Sequence, residues 1–411
     1  MQGTLLDREI KQAYAAAGIP YLVHIDVTYR CDLDCAHCYL DDKQTWPEMT
    51  TAEIESLLVQ LRDIGVFQIQ WSGGEVFLRP DFPRLLETSA KLGFVNGVKT
   101  HAGGVGDERA ALLAASRVRK VDVSVYALDS AIHDRITRSP GSLERTLAGI
   151  RAMRQVGVAV QVSMVVMRGN EHEVEAVAGF AAETGCNLNV SPRVTRDLAG
   201  DPELLDLQLA EAEMVEVFAQ VERLARARGE APHAKEAVHE RRDQGPCGAG
   251  RFAAYVSPDG AVWPCIAFPM QIGHLRERTF ESIWRDSDQR AALVAFTNAD
   301  RTPCLSCAGS ASCSFCPGEA FKESGDYRKA PASFHTATRA RLRARELVTG
   351  DELGASQWAT IPAGAPPREG KASVPMYRPQ RGRTNRVQNV ANSVSLDRLD
   401  RRGGATVAAE E

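Results

Sequence analysis

Nine of the ten cysteines in this 411-residue chain fall into two groups whose spacing suits metal chemistry. In a reducing compartment, clustered cysteines act as metal ligands or reactive thiols rather than as disulfides. Cys31, Cys35 and Cys38 form a CX3CX2C run. Three thiolates cannot close a four-ligand structural site by themselves. On a [4Fe–4S] cube they leave one iron open to an outside ligand. A zinc knuckle with a distant fourth ligand is the alternative, and His37 is a strained candidate for that ligand. The second group is Cys247, Cys265, Cys304, Cys307, Cys313 and Cys316. A zinc ribbon separates its two CX2C pairs by about 15–20 residues, whereas here five residues lie between Cys307 and Cys313. Cys186 stands alone and reads as a small buried apolar residue.

The elements that must position these thiols follow from periodicity. From residue 20 to about 195, β-rich runs alternate with amphipathic helical segments, beginning with YLVHIDVTYRC, which runs into Cys31. The segment TTAEIESLLVQLRDIG reads as a helix capped by Thr50 or Thr51. About six βα units of this kind imply a parallel α/β sheet, too short for a full eight-fold barrel and therefore a partial one. Residues 204–228 predict a long amphipathic helix, and FAAYVSPDGAVWPC predicts a β-hairpin turning at Asp259-Gly260. Residues 371–402 carry Lys371 and seven arginines against two aspartates. With few large apolar side chains, a disordered basic tail is expected there.

Composition is that of a globular protein, with 44% hydrophobic and 25% charged residues and a net charge of −4. That balance gives no reason to expect nucleic acid or a membrane as partner. No signal peptide and no apolar run of about 18 residues is present, so the expected location is the cytoplasm.

The CX3CX2C motif at the end of the first strand of a partial (β/α)6 TIM-like barrel resembles the radical S-adenosylmethionine (SAM) superfamily. Gly73-Gly74-Glu75 comes after the second strand, where that family's GGE meets the amino group of the methionine moiety. Glycines permit close backbone approach, and a carboxylate accepts hydrogen bonds from an ammonium. The same resemblance puts His37 beside the adenine and Ser124 at a position that contacts ribose or carboxylate. It adds Asn170 and Arg193 as strand-end candidates for cofactor binding. It implies that a [4Fe–4S] cluster with bound SAM yields a 5′-deoxyadenosyl radical, which takes a hydrogen from the substrate. No side-chain acid or base is required for that step.

The C-terminal cysteines resemble the SPASM extension of this superfamily, which holds two auxiliary iron–sulfur clusters. The resemblance assigns Cys247, Cys265 and Cys316 to auxiliary cluster I and Cys304, Cys307 and Cys313 to auxiliary cluster II, both expected to be [4Fe–4S]. The last gap is one residue shorter than the family's, and its final cysteine is missing. His335 stands about where that cysteine belongs and is expected as the fourth ligand of cluster II. The resulting division is 1–19 as an N-terminal extension, 20–200 as the barrel and 201–246 as a connecting helix and linker. A SPASM domain then occupies 247–345 and a low-order tail 346–411.

Enzymes with this extension mostly modify peptides or proteins, so the expected substrate is a ribosomally made precursor peptide. A tetrapyrrole of the haem or haem d1 type and a sulfatase matured to formylglycine are the alternatives. A regulatory iron–sulfur or zinc module is the non-enzymatic one. About 20 residues precede the first strand, so a leader peptide is expected to be held by a separate leader-binding protein or by the barrel. A flavodoxin or ferredoxin is the expected reductant.

Overall fold

The computed structural model describes residues 5–40, 47–229 and 237–364. The basic stretch 371–402 lies outside them. Strands β1 (Leu22–Asp26), β2 (Gln68–Ser72), β3 (Val95–Thr100), β4 (Val118–Ser124), β5 (Val160–Val165) and β6 (Asn187–Ser191) lie side by side in chain order, each parallel to the next. A helix α1 (Leu5–Ala17), not foreseen from sequence, precedes them. The crossovers carry α2 (Thr51–Asp63), α3 (Phe82–Lys91), α4 (Asp107–Ala115), α5 (Ser130–Thr137), α6 (Ser142–Gln155) and α7 (Val174–Glu183). Helix α2 begins where a capping box predicts. The Thr50 hydroxyl accepts the Glu53 N–H, and the Glu53 carboxylate accepts the Thr50 N–H.

Strand alternation separates two environments. Val23, Ile25, Ile69, Trp71, Val121 and Val123 are fully buried in one continuous core with Ile54, Leu57 and Leu58 of α2 and Leu85 and Leu86 of α3. The intervening residues are polar, and the register sets His24 beside Gln70 and Asp26 beside Ser72. Because side chains alternate across a strand, these polar residues share the face turned away from the helices, the inside of the partial barrel.

The predicted hairpin is present as β7 (Ala253–Val256) and β8 (Ala261–Trp263), with Gly260 at φ +95° in its turn. Its location was not foreseen. Strand β7 pairs in parallel with the free edge of β1, and β8 and β9 (Gly273–His274) continue outward. The result is one nine-stranded sheet of order β6-β5-β4-β3-β2-β1-β7-β8-β9. Tyr255 of β7 sits in register with His24 and donates its hydroxyl proton to Asp26 at 2.9 Å. Asp26 is wholly buried.

The long helix expected over 204–228 is divided into a 3-10 turn, Glu203–Leu207, and α8 (Glu211–Ala227). Short helices α9 (Phe280–Asp286) and α10 (Asp288–Ala295) lead to α11 (Thr302–Leu305), which carries Cys304, and α12 (Pro317–Ser324) starts just after Cys316. Helix α13 (Ala332–Thr349) packs along α8, and α14 (Ala355–Ala359) comes next. The low-order tail therefore does not begin at 346. The apolar face of α13, with Phe334, Ala337, Ala340 and Ala344 buried, carries ordered structure past that point.

Arg79 joins three segments around β1. Its guanidinium donates to the carbonyls of Val27 and Met49, both at 2.9 Å, and grips Asp81 at 2.9 and 3.0 Å. At 5% exposure, its loss leaves two carbonyls without their donor and the half-buried Asp81 carboxylate with only the Thr51 hydroxyl. Arg79→Met is expected to lower stability by about 1–3 kcal/mol, read as a fall in the urea midpoint at unchanged slope.

Candidate active site

The chain leaves β1 as an extended segment that crosses directly over the glycine pair after β2. The N–H of Gly74 donates to Thr28 O at 2.8 Å and that of Glu75 to Arg30 O at 2.9 Å. Gly73 has φ +141°, and a Cβ there would lie 2.1 Å from Thr28 O. A Cβ on Gly74 would lie 2.3 Å from Arg30 O and 2.5 Å from Tyr29 O. The close approach that these glycines permit is thus to the chain's own backbone, one residue before Cys31.

The cysteine loop is then laid on helix α5. The N–H groups of Asp34 and Ala36 donate to Thr137 O and Ile136 O, at the helix's C-terminal end where carbonyls lack intrahelical partners. Arg138 closes the join with Asp34 at 3.1 Å. Under the loop lies Tyr126, just after β4, packed with Cys35 and Ala36. Burial drives its phenol pKa well up. Cys35, Cys38 and Cys31 push it further, against the lowering effect of a Ser124 hydrogen bond. The His37 ring meets Tyr126 edge-on at 4.5 Å. Asn170 uses both amide hydrogens on the carbonyls of Tyr126 and Val165, while its oxygen accepts the Met167 N–H. The structure gives Asn170 a positioning task in place of the expected reach toward a cofactor. His37 and Ser124 do gather beside the cysteine loop.

Glu75 is 4% exposed. It accepts from the Thr100 hydroxyl at 2.8 Å, the His101 N–H at 3.0 Å and the Phe77 N–H at 3.1 Å. Among the described residues no lysine or arginine lies within 4.0 Å of it. The His101 ring does, with Nε2 3.2 Å from Glu75 and 2.8 Å from Asp32 between the first two cysteines. Cys31, Asp32 and His101 converge within 4.8 Å. His101 and Asp32 escaped the sequence reading. The breaking of the third strand at THAGG was the one available signal.

In the second half, Cys247, Cys265 and Cys316 are electrostatic neighbours, as are Cys304, Cys307 and Cys313. Burial pushes the Cys247 thiol up to about 12 and the Cys265 thiol up to about 11. A recurring feature opposes this: the sulfur accepts the N–H two residues onward. It appears at Cys31–Leu33, Cys247–Ala249, Cys265–Ala267, Cys307–Gly309 and Cys316–Gly318. Such donors favour the anionic form. Buried thiols whose ionisation is opposed overall, yet which are offered donors for the anion, fit a metal cluster that supplies the countercharge. Gly318 permits two of these turns to meet, since a Cβ there would lie 2.4 Å from Ala267 O.

Two more expected residues gather at α13. His335 hydrogen-bonds to the backbone of Ala363 and feels Glu323, which engages one nitrogen of its ring. Arg193 lies 4.1 Å over the Phe334 ring and in electrostatic reach of Cys313 and Cys316, while its neighbour Val194 packs with Cys35 and Ala36.

A parallel sheet whose first strand empties into a three-cysteine loop over a Gly-Gly-Glu turn defines an iron–sulfur radical enzyme scaffold. Residues 25–181 match the Radical SAM superfamily and residues 247–313 the SPASM iron-sulfur cluster-binding domain, and the chain belongs to the radical SAM superfamily as an enzyme with a SPASM domain. These two domains imply iron–sulfur clusters and SAM binding. The AdoMet-dependent heme synthase of Methanosarcina barkeri is 26% identical, over 76% of this chain and 95% of its own length. The PqqA peptide cyclase of Xanthomonas euvesicatoria is 29% identical, over 70% and 80% respectively. Streptococcus suis SuiB bound to precursor peptide SuiA superposes with a TM-score of 0.58 at 17% identity, covering 71% of each chain. The enzyme anSMEcpe with bound AdoMet gives 0.60 at 14%, over 83% of this chain and 98% of that one. At these identities the likeness of the two structures is one of fold.

Gly74→Ala is expected to displace the Thr28–Arg30 segment and to cost one cluster's worth of iron and sulfide on anaerobic reconstitution. Gly179→Ala, whose Cβ meets open space in α7, is expected to retain full iron. A pH dependence arises from α5. Burial holds His133 down to about 4 in the folded chain, below its ordinary 6.5, so the unfolded chain takes the proton first. Stability present above about pH 6.5 is lost as pH falls toward 4, by about 2–3 kcal/mol in total. Urea midpoints at about pH 7 and about pH 5 are expected to differ more for the native chain than for His133→Gln.

Proposed function

We propose that this enzyme modifies a peptide or protein substrate, most simply a ribosomally made precursor peptide. Three thiolates, Cys31, Cys35 and Cys38, would hold the SAM-binding cluster and leave one iron free for the methionine amino and carboxylate groups. When bound, that cluster supplies the electron that cleaves SAM to a 5′-deoxyadenosyl radical, which takes a hydrogen from the substrate. The observation that carries the reading is the buried Glu75 carboxylate beside the cysteine loop, with no lysine or arginine within 4.0 Å among the described residues. It offers a carboxylate where the ammonium of the SAM methionine moiety can dock. Gly73 and Gly74 hold the loop at the distance this docking needs. Tyr126 and His37 provide the aromatic wall, and Ser124 a hydroxyl beside it.

Cys247, Cys265 and Cys316 would ligate one auxiliary cluster and Cys304, Cys307 and Cys313 a second. His335 is the proposed fourth ligand of the second, with one ring nitrogen bonded to the Ala363 backbone and the other left for iron. The peptide reading draws support from the cyclase relative. The heme synthase relative, matched over 95% of its length, favours a second reading in which a tetrapyrrole side chain is the substrate.

Two measurements test these assignments. Anaerobic metal analysis is expected to give about twelve irons with matching sulfide, and about four irons with zinc would remove the auxiliary clusters. The triple Cys→Ala variant at Cys31, Cys35 and Cys38 is expected to lose dithionite-driven 5′-deoxyadenosine formation. Stimulation of that formation by a precursor peptide encoded nearby supports the first substrate class, and stimulation only by a haem-pathway tetrapyrrole overturns it.

A further inference from the structure

Three arginines from separate elements converge on the cysteines at 304–313. Arg301, just before α11, is 5% exposed. Its Nη1 donates to Asn298 Oδ1 at 2.9 Å, its Nη2 donates to Cys304 Sγ at 3.4 Å, and its guanidinium lies 4.1 Å over the Phe315 ring. Arg341 on α13 donates to Ser312 O at 2.6 Å and to the Ser314 hydroxyl at 3.0 Å, the residues on either side of Cys313. Arg193 completes the set from the end of β6, within electrostatic reach of Cys313.

Among the described residues, none of the three guanidiniums has a carboxylate within 4.0 Å. The acids nearest Arg193 are otherwise engaged. Glu319 is paired with Lys322 at 2.7 Å, and Glu323 accepts the Ser333 hydroxyl at 2.9 Å. A buried cation without a counter-ion is costly, and Arg301, with the half-buried Arg341 and Arg193 beside the same cysteines, calls for a concentrated negative charge. The thiolate-ligated cluster proposed for Cys304, Cys307 and Cys313 is such a charge, and it becomes more negative on gaining an electron. A fixed positive field and an N–H···S bond both favour the reduced form.

We propose that Arg301 is the potential-setting residue of this cluster, with Arg341 and Arg193 reinforcing its field, so that the cluster is readily reduced. The inference rests on the auxiliary-cluster assignment above. In the step concerned, the cluster gains one electron from dithionite, which is oxidised, and no proton moves.

The test is an EPR-monitored redox titration of the fully reconstituted chain, with iron and sulfide measured on each sample. In Arg301→Gln the midpoint of one auxiliary signal is expected to fall. At the poise that half-reduces that cluster in the native chain, the ratio of reduced to oxidised cluster is expected to drop about tenfold, which is 59 mV for one electron. Arg301→Lys keeps the charge and is expected to recover most of the shift. An unchanged midpoint at full iron content overturns the proposal. Where Arg301→Gln loses iron, Arg341→Gln decides: a smaller fall in the same signal supports it and an unmoved signal overturns it. About four irons in the native chain would instead overturn the auxiliary-cluster assignment itself, which separates the two failures.

Discussion

Strand β1 is hydrogen-bonded along both edges, to β2 on one side and β7 on the other, and the arrangement of both cysteine groups depends on that double pairing. It fixes the direction in which the chain leaves toward Cys31. It also brings Tyr255, more than two hundred residues later, to the buried Asp26 carboxylate. A strand pinned at both sides has no register left to slip, because a one-residue shift would turn Val23 and Ile25 out of the core. The cysteine loop inherits this fixity through Gly73, Gly74 and the end of α5.

Electrostatics gives the second constraint. The sulfurs sit where burial opposes ionisation, yet several have an N–H aimed at them from two residues onward. The two tendencies are reconciled only when a metal shares the charge. Glu75 presents the complementary situation, a buried carboxylate supported by hydroxyl and amide donors but facing, among the described residues, no lysine or arginine. The protein's contribution is to hold anionic groups in fixed places where water would otherwise solvate them. The radical chemistry itself belongs to the cofactor.

The parts of this design written in local spacing were legible in the sequence. CX3CX2C at a strand end, GGE after the next strand, the helix cap at Thr50 or Thr51 and the Asp259-Gly260 hairpin each depend on residues a few positions apart. Contacts between distant segments were not legible. Nothing in AAYV says which sheet edge it will join, because an alternating strand pattern fits any free edge. His101 and Asp32 meet only once β3 and the cysteine loop are in place. Asn170 looks like any polar strand end until its amide is seen to be taken up by three backbone groups. Helix α13 was not foreseen, because its arginine-rich surface hides a narrow stripe of small residues.

The shared sheet also bears on how such a protein can be taken apart. A cut before Cys247 looks like a domain boundary in sequence, yet it runs through a continuous ladder of hydrogen bonds. Removing the chain from Cys247 onward would leave the edge of β1 bare and flat, an invitation to pair with another chain. It would also leave Asp26 without its tyrosine. The C-terminal half is therefore a poor unit for grafting onto another barrel, or for expression by itself, unless strand β7 is left with the barrel it completes.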